Sequence, residues 1–370
     1  MMRFLVFSFA TVMAAQALAH PLVPDQLPDT DGWRVYSSVQ AWDATDAVPI
    51  KHISEWTEHL QPRSGNNIFV QRHKAEAGVI RDGWLVGLEY RKDVTAVIAG
   101  DTLELVRRQQ QKTLDGEARS YPLEGKYQAW SGSGVRVGRV FSLSERAAAG
   151  PRLLVSAALY QQAQYREVDV DGQVAYQSAD SYQIQAKMQD ANPKKQYPFM
   201  QSGPEASGYS VSAALDWPLS ENLHARLQLN DVAGRIRLKN VPVTTTRIDT
   251  DAAYLDEQSH INYRPLLSGR NVQVTGSQRI APTSALSLSY QADRWLFSGG
   301  LFRVADTVIP NAAVEYAFRW LTVGASYESR FNTIGLMLKR GPFALNVASN
   351  SGSLDKATSL AVSASLNYAF

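Results

Sequence analysis

No cysteine occurs among the 370 residues, so neither a disulfide framework nor a thiolate metal site is available. An excess of one charge is missing too: 37 basic residues meet 35 acidic ones, a net of +2, which removes the electrostatic case for a nucleic-acid partner. Past residue 19 the chain lacks any run of about twenty consecutive apolar residues, so no helical membrane span is expected. The six histidines (His20, His52, His59, His73, His224, His260) show no His-x-x-x-His spacing, and no Gly-x-Ser-x-Gly elbow is present. Ser144 and Asp216 could meet a histidine in space, but serine and aspartate are common on any wet strand face. The chain is therefore expected to hold no metal and no cofactor and to carry no catalytic residues. Gly132-Ser133-Gly134 reads as a hairpin turn and Pro193-Lys194-Lys195 as a basic loop tip; with no helix pattern after the glycines, neither is a phosphate loop.

What is present begins with a basic start at Arg3, an apolar run from Phe4 to Ala15 and the small-x-small closure Ala17-Leu18-Ala19. This is the pattern of a cleaved export signal, so residues 1–19 are set apart and 20–370 are read as the folded unit. In that unit the apolar period is two. Leu360, Val362, Ala364, Leu366, Tyr368 and Phe370 fall on one face and Ala361, Ser363, Ser365, Asn367 and Ala369 on the other. Phe343, Leu345 and Val347 alternate with Ala344, Asn346 and Ala348; Ile334, Leu336 and Leu338 with Gly335, Met337 and Lys339; Leu286, Leu288 and Tyr290 with Ser287, Ser289 and Gln291. A mean hydropathy of −0.24 fits strands with one apolar and one polar face. Aromatics such as Trp217, Trp295, Phe318, Trp320 and Tyr368 gather at segment ends, as interfacial girdles do.

These features predict an all-β chain, a transmembrane antiparallel up-and-down β-barrel of about sixteen strands within a range of 14 to 20. Residues 84–99 read as one strand or two, and Leu229 to Val232 switches face, which implies a bulge or break. Short connections such as Asp293-Arg294 and Arg340-Gly341-Pro342 contrast with longer polar ones at 189–206 and 240–257, the asymmetry of inner turns and outer loops. Ile50, Ile53, Trp56 and Leu60 are spaced on one helical face, so a short amphipathic helix is predicted over 50–60.

The final segment, with Leu366, Tyr368 and Phe370, resembles the terminal signature of Gram-negative outer-membrane β-barrels, a porin-like class rather than one family. The resemblance implies outer-membrane location and recognition of those three residues by the barrel-assembly machinery. Outer-membrane lipid and lipopolysaccharide are the surroundings it implies; a homo-oligomer is left open. Arg235, Arg237 and Lys239 alternate with Ile236 and Leu238, and because lipid penalises each cation they are expected to face the lumen with Arg226 and Arg136. Glu315 and Glu328 are the acidic lumen candidates, able either to leave the basic stripe free for anions or to neutralise it. Two functions follow: a pore for small solutes, anionic ones if the stripe stays free, or a non-conducting barrel serving assembly or export of a surface polymer or appendage.

Overall fold

In the computed structural model the pattern of exposure is inverted relative to a water-soluble protein. Leu286 and Leu288 are 46 % and 49 % exposed while their neighbours Ser287 and Ser289 are buried, and Leu336 is 67 % exposed beside buried Met337. A surface of leucines around an interior of serines is stable only where the surrounding medium is hydrocarbon. The structure describes residues 27, 32–113, 118–144, 150–178, 181–195, 197–200, 202–250, 253–255, 261–263 and 266–370. The stretch 1–19, expected to be an export signal, lies outside them.

The strands are β1 (Trp33–Thr45), β2 (Asn66–Arg81), β3 (Trp84–Ala99), β4 (Arg119–Ser142), β5 (Arg152–Ser178), β6 (Ser181–Ala191), β7 (Glu205–Pro218), β8 (Leu223–Asn230) and β9 (Arg235–Asp249). After the small pair β10 (Ala253–Leu255) and β11 (Ile261–Tyr263) come β12 (Leu267–Arg279), β13 (Thr283–Ala292), β14 (Trp295–Val304), β15 (Thr307–Ala317), β16 (Thr322–Glu328), β17 (Thr333–Arg340), β18 (Phe343–Ser349) and β19 (Ser359–Ala369). All pairings are antiparallel, and seventeen strands share one sheet. The ring runs β1–β2–β3–β4–β5–β7–β8–β13 and on in order to β19, which returns to β1 through pairs from Arg34↔Ala369 to Ala44↔Ser359. Among the described residues that circuit passes through fourteen strands, inside the expected range. β6, β9 and β12 continue β7, β8 and β13 beyond the ring.

Those continuations account for several differences from the sequence reading. Residues 84–99 form one strand. The 240–257 stretch is strand as far as Asp249, and 189–206 is loop only between β6 and β7. Gly132-Ser133-Gly134 is no turn: it lies within β4, where pairing to β5 shifts by a bulge and a Cβ on Gly134 would collide with the Leu159 carbonyl oxygen. Close approach, not chain reversal, is what this glycine provides. The Leu229–Val232 irregularity is real: β8 and β9 are separated by Asp231 to Gly234, with Asp231 in the left-handed region at φ 58°.

Connections at the end where β1 begins are mostly tight, as at Asp82-Gly83, Asp293-Arg294 and Gly341-Pro342. The opposite end carries a 3₁₀ segment (Ile50–Glu58) and α1 (Gly100–Gln111), and is taken as the outer end. The helix foreseen at 50–60 is thus shorter, kinked and of 3₁₀ type. On α1 the Glu104 carboxyl is held down to about 2 by hydrogen bonds from Arg107, then Arg108. At 27 residues, β5 covers about 90 Å of strand, or roughly 70 Å of height at a tilt of about 40°, against an apolar belt of about 25 Å. Its outer half must stand clear of the bilayer.

Candidate functional site in the lumen

Along β3, Leu88 and Tyr90 point outward while Glu89, Arg91 and Asp93 point inward. The adjoining inward positions are Lys74 and Glu76 on β2 and Arg136 on β4, so a ladder of opposite charges crosses three neighbouring strands. Arg136 Nη1 lies 2.7 Å from Glu76 Oε2 and 3.7 Å from Glu89 Oε2; Lys74 Nζ lies 2.7 Å from Glu76 and 3.7 Å from Glu89. The Tyr160 hydroxyl donates to Glu89 Oε1 at 2.5 Å.

The ladder continues across the lumen. Arg91 donates to both oxygens of Asp231, at 2.8 and 2.6 Å, in the two-pronged geometry that is strongest for arginine and carboxylate. Ser210 Oγ also donates to Asp231, at 2.6 Å, and the guanidinium stacks 5.0 Å above the Trp130 ring. Asp231 reaches this position because the break between β8 and β9 turns its backbone inward. A second cross-link runs from Arg72 on β2 to Thr283 on β13, at 2.9 Å. The barrel is therefore braced through its middle, not only around its wall.

Outward of the brace the interior is apolar. Trp130, Tyr160 and Tyr165 pack across onto Ile236 and Ile280. On the other side Trp42 meets Phe302 and Phe331 edge-on, with ring centres at 5.7 and 6.3 Å, among Ile68, Val70 and Ile309. At the outer rim Arg330 grips buried Asp46 with both prongs, at 3.1 and 2.6 Å. Inward of the brace is a cavity of about 140 Å³ lined by Tyr36, Glu76, Arg136 and Gln228, with Leu27 packed on Val140 and Leu154 at its margin. A smaller chamber of about 70 Å³ beside Arg91 and Tyr160 shares Lys74, Arg136 and Asn230 with it. With about 10–15 Å³ needed per water centre, the larger one holds on the order of ten waters.

Arg136 and Arg226 face the interior, each against carboxylates; Arg226 Nε stands 3.5 Å from Asp216. Glu315 is buried with Lys339 at 2.8 Å. Glu328 is buried at the rim, where it accepts from the backbone N–H groups of Arg330 and Phe331 and from Thr333 Oγ1, so it caps the β16–β17 turn and lines no passage. The expected lumen placement of Arg235, Arg237 and Lys239 is corrected: all three are exposed on the outer wall, and Ile236, 1 % exposed, points inward. Alternation is kept across the break, but β9 has risen past the belt, so cations there meet headgroups and water instead of acyl chains. Lys239 reaches Glu205 at 3.4 Å, while Arg235 stands opposite Arg279, like charge beside like. Leu366, Tyr368 and Phe370 lie on β19's outward side at the inner end, where the Phe370 N–H donates to the Trp33 carbonyl at 3.0 Å.

The residues that sequence reading missed are Lys74, Glu89, Arg91, Tyr160 and Asp231. A signal for two of them existed: Glu89 and Arg91, followed by Asp93, alternate with Leu88 and Tyr90. Asp231 gave none, since a break has no period.

No family model and no curated protein matches this sequence. Among solved structures, the chain is similar to the Pseudomonas putida toluene transporter TodX, at 10% identity, 92% of this chain, 88% of that one and a TM-score of 0.37. It is also similar to a Pseudomonas aeruginosa FadL homologue, at 9%, 90%, 89% and 0.34, and to the Pseudomonas aeruginosa outer membrane protein OprD, at 9%, 94%, 97% and 0.24. The outward apolar belt and the closed ring are by themselves those of a transmembrane β-barrel.

Proposed function

We propose that this chain is an outer-membrane channel for small molecules, held shut in the present conformation by its transverse brace. The observation that carries the reading is the Arg91–Asp231 clamp with the two connected chambers beside and below it. A barrel built only to be solid has no use for cavities under a polar rung that one strand break supplies. The interior cations Lys74, Arg91, Arg136, Arg226 and Lys339 each have a carboxylate close by, so the passage is charge-balanced and small solutes of low charge suit it better than anions. In planar bilayers the wild type should pass little current, and the Arg91→Ala/Asp231→Ala double variant several-fold more. Equal currents from the two would remove the brace from the gate.

The outer basic cluster fits a second role within this reading. Arg235 and Arg279 oppose each other directly, an arrangement that costs stability unless an anion lies between them. At the upper edge of the belt the available anions are the phosphates of lipopolysaccharide, and Arg237 extends the seat by one further outward position. Replacing Arg235, Arg237 and Arg279 by serine should lower the glycolipid phosphate that stays with the barrel through detergent purification. An unchanged phosphate content would dismiss the role.

A further inference from the structure

Between β1 and β2, the 3₁₀ segment brings three ligand-type side chains together at the outer mouth. The ligand atoms of His52, Glu55 and His59 lie within 4.8 Å of one another, and the two imidazole rings stack with centres 3.9 Å apart and 29° between planes. Neither the His-x-x-x-His nor the Glu-x-x-His pattern covers these residues, whose steps are three and four. Those steps put them on one side of a helical turn. The backbone leaves helical values at two of the three, His52 (φ −101°, ψ 16°) and Glu55 (φ −116°, ψ 33°), which draws the trio closer than a regular helix would.

What holds the segment in place is confined to its ends. Val48 and Leu60 pack with Leu103 of α1, the Ile50 N–H donates to the Ala357 carbonyl at 2.8 Å, and the Gln61 N–H to the Ala47 carbonyl at 2.8 Å. No residue inside the segment is buried. Among the described residues, neither imidazole nor the Glu55 carboxylate has a hydrogen-bond partner. Two imidazoles and a carboxylate, clustered without partners on an anchored loop, have their donor atoms available to a ligand.

We propose that His52, Glu55 and His59 bind one divalent ion of the zinc class. Two nitrogens and one oxygen form a three-ligand set that leaves a fourth tetrahedral position for water, and imidazole disfavours Ca²⁺ and Mg²⁺, which take oxygen shells. With bonds of about 2.0–2.1 Å the ligand atoms of such a site stand roughly 3.4 Å apart, so the present spacing closes by small rotations of exposed side chains. The ion would pin the loop over the barrel mouth.

The experiment uses the full folded barrel in detergent, free of any affinity tag. Zn²⁺ titration by calorimetry should give one ion per chain, and Co²⁺ should show the visible absorption of a tetrahedral site. His52→Ala/His59→Ala should abolish both signals, and Glu55→Gln should weaken Zn²⁺ binding by roughly tenfold or more. His73→Ala, whose imidazole pairs with Asp43 at 3.2 Å, should leave binding unchanged. Retained heat-modifiable migration of every variant separates a lost site from a lost fold. Absence of stoichiometric binding in the wild type, or equal binding in the double variant, would overturn the assignment.

Discussion

Leu336→Arg should cost the folded barrel about 2–4 kcal/mol, whereas Leu354→Arg should fall within about 0.5 kcal/mol of the wild type. The two leucines are almost equally exposed, at 67 % and 64 %. Leu336 lies in β17 between outward-facing Ala325 of β16 and Val347 of β18, in the midst of the belt, whereas Leu354 lies in the outer connection between β18 and β19. In a water-soluble molecule both substitutions would put a cation where water already is, and both would be harmless. In a bilayer only the second is. Unfolding titrations in lipid vesicles, read by the fraction that keeps folded migration, measure the contrast, and equal costs would contradict a lipid-facing belt.

Asp231→Ala should be the most damaging single change in the interior, at about 3–5 kcal/mol, because it leaves the buried Arg91 guanidinium short of a counter-charge. Asp93, 2.5 Å from Arg91, keeps part of that charge compensated and places the expected cost toward the lower end of the range. The double variant Arg91→Met/Asp231→Leu should recover most of the loss, since an apolar pair of similar bulk beside Trp130 and Ile236 removes the unpaired charge instead of stranding it. Denaturant midpoints for the wild type, the single and the double variant test the order. A double variant as unstable as the single would mean that packing at this position, not charge, carries the stability.

The lipid belt was legible in the sequence because hydrocarbon acts on one side of every strand: Leu286, Leu288 and Tyr290, or Ile334, Leu336 and Leu338, alternate without exception. What lay above the belt was not legible in the same way. The inference that Arg235, Arg237 and Lys239 avoid the outer face assumed lipid at their height, and residue type alone does not report height. The break at Asp231 to Gly234 could be seen as a change of face, but its role as the source of a cross-lumen carboxylate could not, since Arg91 stands 140 positions away in the chain. The trio His52, Glu55 and His59 is less legible for a smaller reason: it runs His-x-x-Glu-x-x-x-His, so its steps of three and four mark one side of a helix but carry the residue types in another order than His-x-x-x-His or Glu-x-x-His.

The seam between β1 and β19 joins the two extremes of the described chain, from Arg34↔Ala369 to Ala44↔Ser359. Every other ring pairing except β5–β7 and β8–β13 is between strands consecutive in the chain. Closing a loop about a hundred times longer than a hairpin costs roughly 4 kcal/mol more in chain entropy, at about 0.6 kcal/mol per doubling. The seam is accordingly the last part of the ring to form. Until it does, both edge strands present a row of unsatisfied backbone groups that hydrocarbon tolerates only at several kcal/mol each. The order of events is therefore constrained by topology: either the sheet curls and closes before it meets the acyl chains, or something else shields its two free edges while it enters.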